Sequence, residues 1–104
     1  MIFKGIPMSY TVISEYPCAS GKGKEFLKLL LIELADTRAY AGCQLLETYV
    51  DQDNSDLIVL WEKWDERFNR ESYMAWSAET SMLDVMGLLF LSGAPRFLYL
   101  TAAE

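Results

Sequence analysis

The order of apolar and polar positions along the chain predicts a run of short alternating elements. Residues 8–16 are rich in β-branched and aromatic side chains and close on Pro17, which predicts a strand. Residues 18–23 are loop-like. Across residues 24–38, Phe26, Leu27, Leu30, Leu31, Leu34 and Ala35 recur at helical spacing, and Leu29 and Ile32 widen that stripe beyond one narrow seam. Ala41-Gly42 breaks this helix. A second strand is expected over 43–50, a polar turn over 51–56, and a third strand over 57–64 as the return arm of a hairpin. Asp65 is a candidate N-cap for a helix over 66–79. Ser81-Met82-Leu83-Asp84 resembles a capping box, with Asp in place of Glu, before a short helix reaching about Leu91. Gly93-Ala94-Pro95 is a turn, and residues 96–101 form the last strand.

The resulting order is β-α-β-β-α-β with a small extra helix, an α+β ferredoxin-like arrangement in one domain over 1–104 with its core at 8–101. Strand faces then matter. Met8, Tyr10 and Val12 point one way and Ile13 the other; Leu45 opposes Leu46; Phe97 and Tyr99 oppose Leu98 and Leu100. An antiparallel sheet normally leaves one face polar, but here both carry apolar residues and both need cover. Helices cover one. The simplest cover for the other is a second copy of the sheet, so a homodimer packed sheet to sheet is expected.

Composition narrows the function classes. The net charge of -6 argues against a nucleic-acid surface, which needs a basic stripe; Lys22, Lys24 and Lys28 are interrupted by Glu25 and read as a solvated helix start. The loop before Lys24 lacks the Walker spacing of a phosphate-binding turn. Apolar runs stay far below the roughly 18 residues needed to span a bilayer, so no membrane association is expected. Residues 1–7 are too short, and too broken by Gly5 and Pro7, for a secretory leader. Cys18 and Cys43 have no CxxC spacing and read as reduced thiols of a cytoplasmic protein. The chain has no histidine, which removes imidazole acid–base chemistry and histidine metal ligation; no carboxylate or thiolate cluster has metal-ligand spacing.

What remains is aromatic. Trp61-Glu62-Lys63-Trp64-Asp65 ends the third strand, and Tyr73-Met74-Ala75-Trp76 lies in the helix behind it. Together with Gly42-Cys43 before the second strand, the Glu62-x-Trp64-Asp65 and Tyr73-x-x-Trp76 spacing resembles the antibiotic biosynthesis monooxygenase family over residues 8–101. That resemblance implies a dimeric α+β barrel. The superfamily includes quinol monooxygenases and anthrone oxygenases of aromatic polyketide pathways. It also implies that Trp64 stands where anthrone-oxidising members have a pocket tryptophan. Leu60 stands where they carry an asparagine, and Tyr73 where many members have a helix histidine. Phe68, Ser72, Tyr73 and Trp76 are expected on the sheet-facing side of the second helix.

The activity implied is oxygen insertion without flavin, haem or metal. A deprotonated phenol or anthrone passes an electron to O2 directly, and the protein supplies a dry, shaped cavity of a few hundred Å3. In this reading Trp64 and Tyr73 are the catalytic pair, Tyr73 as donor to the developing anion, with Trp76 a second aromatic wall. Thr11, Ser14, Phe68 and Arg96 are further substrate contacts, and Glu62 is a candidate base. Each has a structural alternative: Trp64, Tyr73 and Trp76 as core, Thr11 and Ser14 as plain strand residues, Glu62 as partner of Arg67 or Arg70. A non-catalytic barrel that binds a hydrophobic small molecule and a different small enzyme on the same scaffold remain as alternatives. A haem oxygenase is disfavoured because the proximal ligand would be a histidine.

Overall fold

The structure is a computed structural model that describes residues 9–80 and 83–103. Its elements run β1 (Tyr10–Pro17), α1 (Gly23–Ala39), β2 (Cys43–Asp51), β3 (Asn54–Trp64), α2 (Arg67–Thr80), α3 (Leu83–Phe90) and β4 (Arg96–Leu100). The four strands form one antiparallel sheet in the order β2-β3-β1-β4, the ferredoxin-like order expected from the sequence. Met8, Ser81 and Met82, expected in the first strand and the capping box, lie outside the described residues.

Alternation divides each strand cleanly. Val12, Ser14, Leu46, Ile58, Leu60, Glu62 and Trp64 are buried under the helices. Register puts Val12 opposite Glu62 and Tyr99, and Ser14 opposite Leu60 and Phe97. The intervening positions, among them Ile13, Val59, Trp61 and Leu98, line the other face, which none of the described elements covers.

Helix α1 presents Phe26, Leu30 and Leu34, one per turn, to Leu46, Ile58 and Leu60, and α3 closes that core with Met86 and Phe90. The buried seam is narrower than expected: Leu29, Leu31 and Ile32 face outward, Ile32 at 67% exposure. Lys22 supplies no side-chain cap to α1. The Asp56 carboxylate of β3 does so from a distance, accepting from the N–H of Gly21 at 3.0 Å and of Gly23 at 2.9 Å. A Cβ at Gly23 would meet the Ser55 carbonyl and sit 2.7 Å from the Asp56 Cα, so only glycine lets the helix start this close to the sheet.

Three boundaries differ from expectation, each for a local reason. The hairpin ladder continues to Asp51 and Asn54, because exposed polar residues pair as well as apolar ones; the Asp51 carboxylate accepts from the Asp53 N–H and the Asn54 amide oxygen from the Asp56 N–H. Asp65 does not cap α2, since its carboxylate accepts from Gln44 at 2.7 Å. The Asn69 side chain accepts instead from the Glu66 N–H at 3.0 Å, the reciprocal half of a capping box. Asn69 also packs on Gly42, whose φ of 90° suits glycine and where a Cβ would lie 2.6 Å from the Asn69 Cβ.

Candidate active site

Helices and sheet do not meet everywhere. A cavity of about 700 Å3 lies between them. Phe26, Leu30 and Leu34 of α1 form one apolar wall, Leu46 and Leu60 another, and Leu88, Leu91 and Phe97 stand towards α3 and β4. Its polar end carries Glu62, Arg70, Tyr73 and Thr37.

Glu62 reaches this space because β3 turns every second residue inward. Its carboxylate is buried and fully engaged. One oxygen accepts from the Trp64 indole N–H at 2.9 Å and from Arg70 Nε at 3.1 Å; the other accepts from the Ser14 hydroxyl at 3.1 Å. The Glu62 and Arg70 side chains are 6% and 7% exposed, so this is a buried, internally neutral ion pair. The Arg70 guanidinium lies over two rings of β4, its Cζ 5.3 Å from the Phe97 centroid and 5.7 Å from that of Tyr99. Three donors thus hold the carboxylate.

Tyr73 shares a hydrogen bond with Thr37 of α1 at 2.5 Å, either hydroxyl being able to donate, and its ring lines the cavity. Tyr16 lines the cavity from β1. Burial first, and then the Glu62 charge, push its phenol far above the usual tyrosine range, while neighbouring Ser14 and Arg70 pull weakly the other way. Tyr16 is therefore a neutral phenol. Burial likewise raises both thiols, Cys18 and Cys43, which are free and suited to packing.

The residues singled out from sequence divide into groups. Tyr73 and Glu62 line the cavity, and Ser14 is buried one bond behind Glu62. Trp64 is fully buried but is not part of the cavity wall; it packs on Tyr73 at 5.5 Å and holds Glu62. Trp76 is half-exposed outside, against Tyr40 at 5.6 Å and Tyr73 at 6.1 Å. Phe68 is 58% exposed on the outer side of α2. Thr11 and Arg96 occupy the opposite sheet face, where Arg96 sits 3.6 Å from Glu15. The structure thus does not bring Phe68, Thr11 or Arg96 to the cavity.

For Phe68 the reason lies in α2. Its buried stripe is Arg70, Tyr73 and Ser77, rotated from the Phe68, Ser72 and Trp76 side that hydropathy favours. A buried carboxylate beneath the helix makes arginine the better inward residue, and Arg67 pairs outside with Glu71 at 3.0 Å. Tyr16 and Thr37 carried weaker signals: Tyr16 shares the parity of Val12 and Ser14, and Thr37 extends the Phe26, Leu30, Leu34 series by one turn.

Among the described residues no cluster of three Cys, Asp or Glu is placed to hold a metal ion, and no helix is long and apolar enough to cross a membrane. An antiparallel ferredoxin-like sheet with a mainly apolar cavity under its helices defines an α+β domain with a space of ligand size. The chain belongs to the antibiotic biosynthesis monooxygenase family, whose model matches residues 9–87. It is similar in structure to a crystal structure of an antibiotic biosynthesis monooxygenase, with TM-score 0.81, 18% identity, and coverage of 91% of this chain and 99% of that one. A Mycobacterium tuberculosis protein has TM-score 0.76, 18% identity and coverage of 92% of this chain and 96% of that one. A Pseudomonas aeruginosa protein has TM-score 0.73, 22% identity and coverage of 91% and 96%. At such identities these structures show a shared fold. Compared by sequence with the curated proteins, the chain matches none.

Proposed function

We propose that the protein is a cofactor-independent monooxygenase that oxidises an aromatic quinol, anthrone or related phenol with O2 inside this cavity. The observation that carries the reading is the cavity of about 700 Å3, apolar on most sides, with an internally neutralised ion pair and a tyrosine hydroxyl at one end. That space suits a polycyclic ring system, and its polar end suits an oxygen that becomes more negative during reaction.

For an anthrone-type CH2 the balance is simple. Loss of a proton to solvent base gives a delocalised anion, which passes one electron to O2. The carbon radical and superoxide combine as a hydroperoxide, and loss of water leaves a carbonyl. One oxygen atom stays in the product; the other leaves as water with the two substrate hydrogens. Arg70 and Tyr73 face the developing oxyanion, Tyr16 stays a neutral phenol in the wall, and Trp64 acts through Glu62 rather than on the ring.

Two copies pair through their uncovered sheet faces in this reading, burying Ile13, Val59 and Leu98 against one another. A second reading, a non-catalytic barrel that binds the same compounds, is favoured by one observation: Glu62 already accepts three hydrogen bonds. The substrate must then lose its proton without Glu62 as base.

Oxygen uptake by purified protein stripped of flavin and metal, with a panel of quinols and anthrones, decides between them. Uptake matched one to one by oxidised product supports the monooxygenase. Saturable binding of the panel without uptake transfers the cavity to the binding reading.

A further inference from the structure

We infer that the polar end of the cavity selects a ligand by a neutral oxygen acceptor, a ring-conjugated ketone or quinone-type carbonyl, and rejects the matching carboxylate, with Arg70 as the reader. The inference deepens the small-molecule reading of this cavity and rests on it.

Two observations carry it. Arg70 gives Nε to Glu62, and among the described residues its two terminal nitrogens make no hydrogen bond to a protein acceptor. The residue lines the cavity and its side chain is 7% exposed, so those N–H groups are the donors it has left for a ligand there. A guanidinium whose remaining donors face an apolar chamber is an unfilled acceptor site.

Charge then decides what fills it. Glu62 and Arg70 are the charged side chains among the described lining residues, and they cancel. A ligand carboxylate would join a buried carboxylate beside the same cation, leaving that end of the cavity net negative. A neutral carbonyl oxygen accepts from Arg70 at no such cost. The Phe97 and Tyr99 rings beneath the guanidinium keep it oriented and dry. A phosphate or sulfate ligand is disfavoured by the same balance.

The test is calorimetric titration of three rigid probes of one shape: fluorene, 9-fluorenone and fluorene-9-carboxylate at neutral pH. Fluorenone should bind about ten- to hundredfold more tightly than fluorene, the range for a hydrogen bond to a charged donor, and more tightly than the carboxylate. The infrared carbonyl stretch of bound fluorenone should fall relative to hydrocarbon solvent, a reading that needs no variant. In Glu62→Gln the cation is no longer neutralised, and the preference should move towards the carboxylate. Circular dichroism checks that this variant folds.

Equal binding of fluorene and fluorenone, an unshifted stretch, or wild-type preference for the carboxylate overturns the inference while leaving the ring-binding cavity intact. Failure of all three probes to bind overturns the ring-binding reading itself, and the inference with it.

Discussion

Trp64 and Glu62 lie two residues apart on the inward face of one strand, and the indole N–H of the first binds the carboxylate of the second at 2.9 Å. The tryptophan expected to stack on substrate is thus a support for the buried pair. Trp64→Phe removes that donor and part of a fully buried side chain. Urea unfolding should show a loss of about 2 kcal/mol or more, as for a buried hydrogen bond to a charged group. A change within about 0.5 kcal/mol, the usual scatter of surface substitutions, would show that the bond contributes nothing.

Tyr73 and Thr37 tie α2 to α1 through a hydroxyl pair at 2.5 Å. Tyr73→Phe and Thr37→Val should each cost about 1 kcal/mol. The double variant should cost clearly less than the sum, because the bond is lost only once. If Tyr73 also serves the proposed oxidation, Tyr73→Phe lowers turnover while Thr37→Val lowers it less. Equal turnover losses that track stability alone would reduce the pair to a structural clasp.

Gly23 has no room to grow. Gly23→Ala drives a methyl group into the Ser55 carbonyl and forces α1 from β3, with loss of the Asp56 cap. A destabilisation of about 3 kcal/mol is expected, at the upper end of ordinary overpacking. A thermal midpoint equal to wild type would refute the close approach.

Stability should respond to pH at both ends. The backbone N–H groups of Gly21 and Gly23 hold the Asp56 carboxyl below its usual range. Its folded pKa lies under the unfolded value of about 3.9, so its contribution is full above that value and fades as pH falls through the folded one. The stability gap between wild type and Asp56→Asn should therefore be widest at neutral pH and narrow below about pH 4. Tyr16 has the opposite sign: its phenol is raised by burial and by Glu62. Its contribution is complete below the unfolded value of about 10 and is lost as pH rises beyond it. Tyr16→Phe should flatten that alkaline decline.

The uncovered sheet face predicts assembly. Leu98→Asp places a charge opposite Ile13 on that face without touching the cavity. Sedimentation should show wild type as a dimer and the variant as a monomer with its secondary structure retained. A monomeric wild type at micromolar concentration would remove the sheet-to-sheet pairing.

Much of this architecture was legible in the chain, because strands and helices are written as periodicities of two and 3.6. The hairpin, the two long helices and the strand order followed directly. Less legible was the rotation of α2. Hydropathy rates Phe68 and Trp76 as inward and Arg70 as outward, and only the position of Glu62 beneath the helix reverses that. Arg96 and Thr11 were assigned to a site on residue type alone, yet they share the parity of Ile13 and Glu15 in the ladder and so face away. The apolar breadth of α1 misled for the converse reason: Ile32 and Leu31 continue the pattern, but a single seam fills the space above β3.

The three indoles end up in three different surroundings: Trp61 half-exposed on the uncovered sheet face, Trp64 sealed beside a carboxylate, Trp76 half-exposed outside two tyrosine rings. Each therefore emits from its own medium, and the chain carries a separate optical reporter for each event. Retaining Trp61 alone reports any cover of that sheet face, Trp64 alone follows unfolding, and Trp76 alone registers movement of α2 against α1.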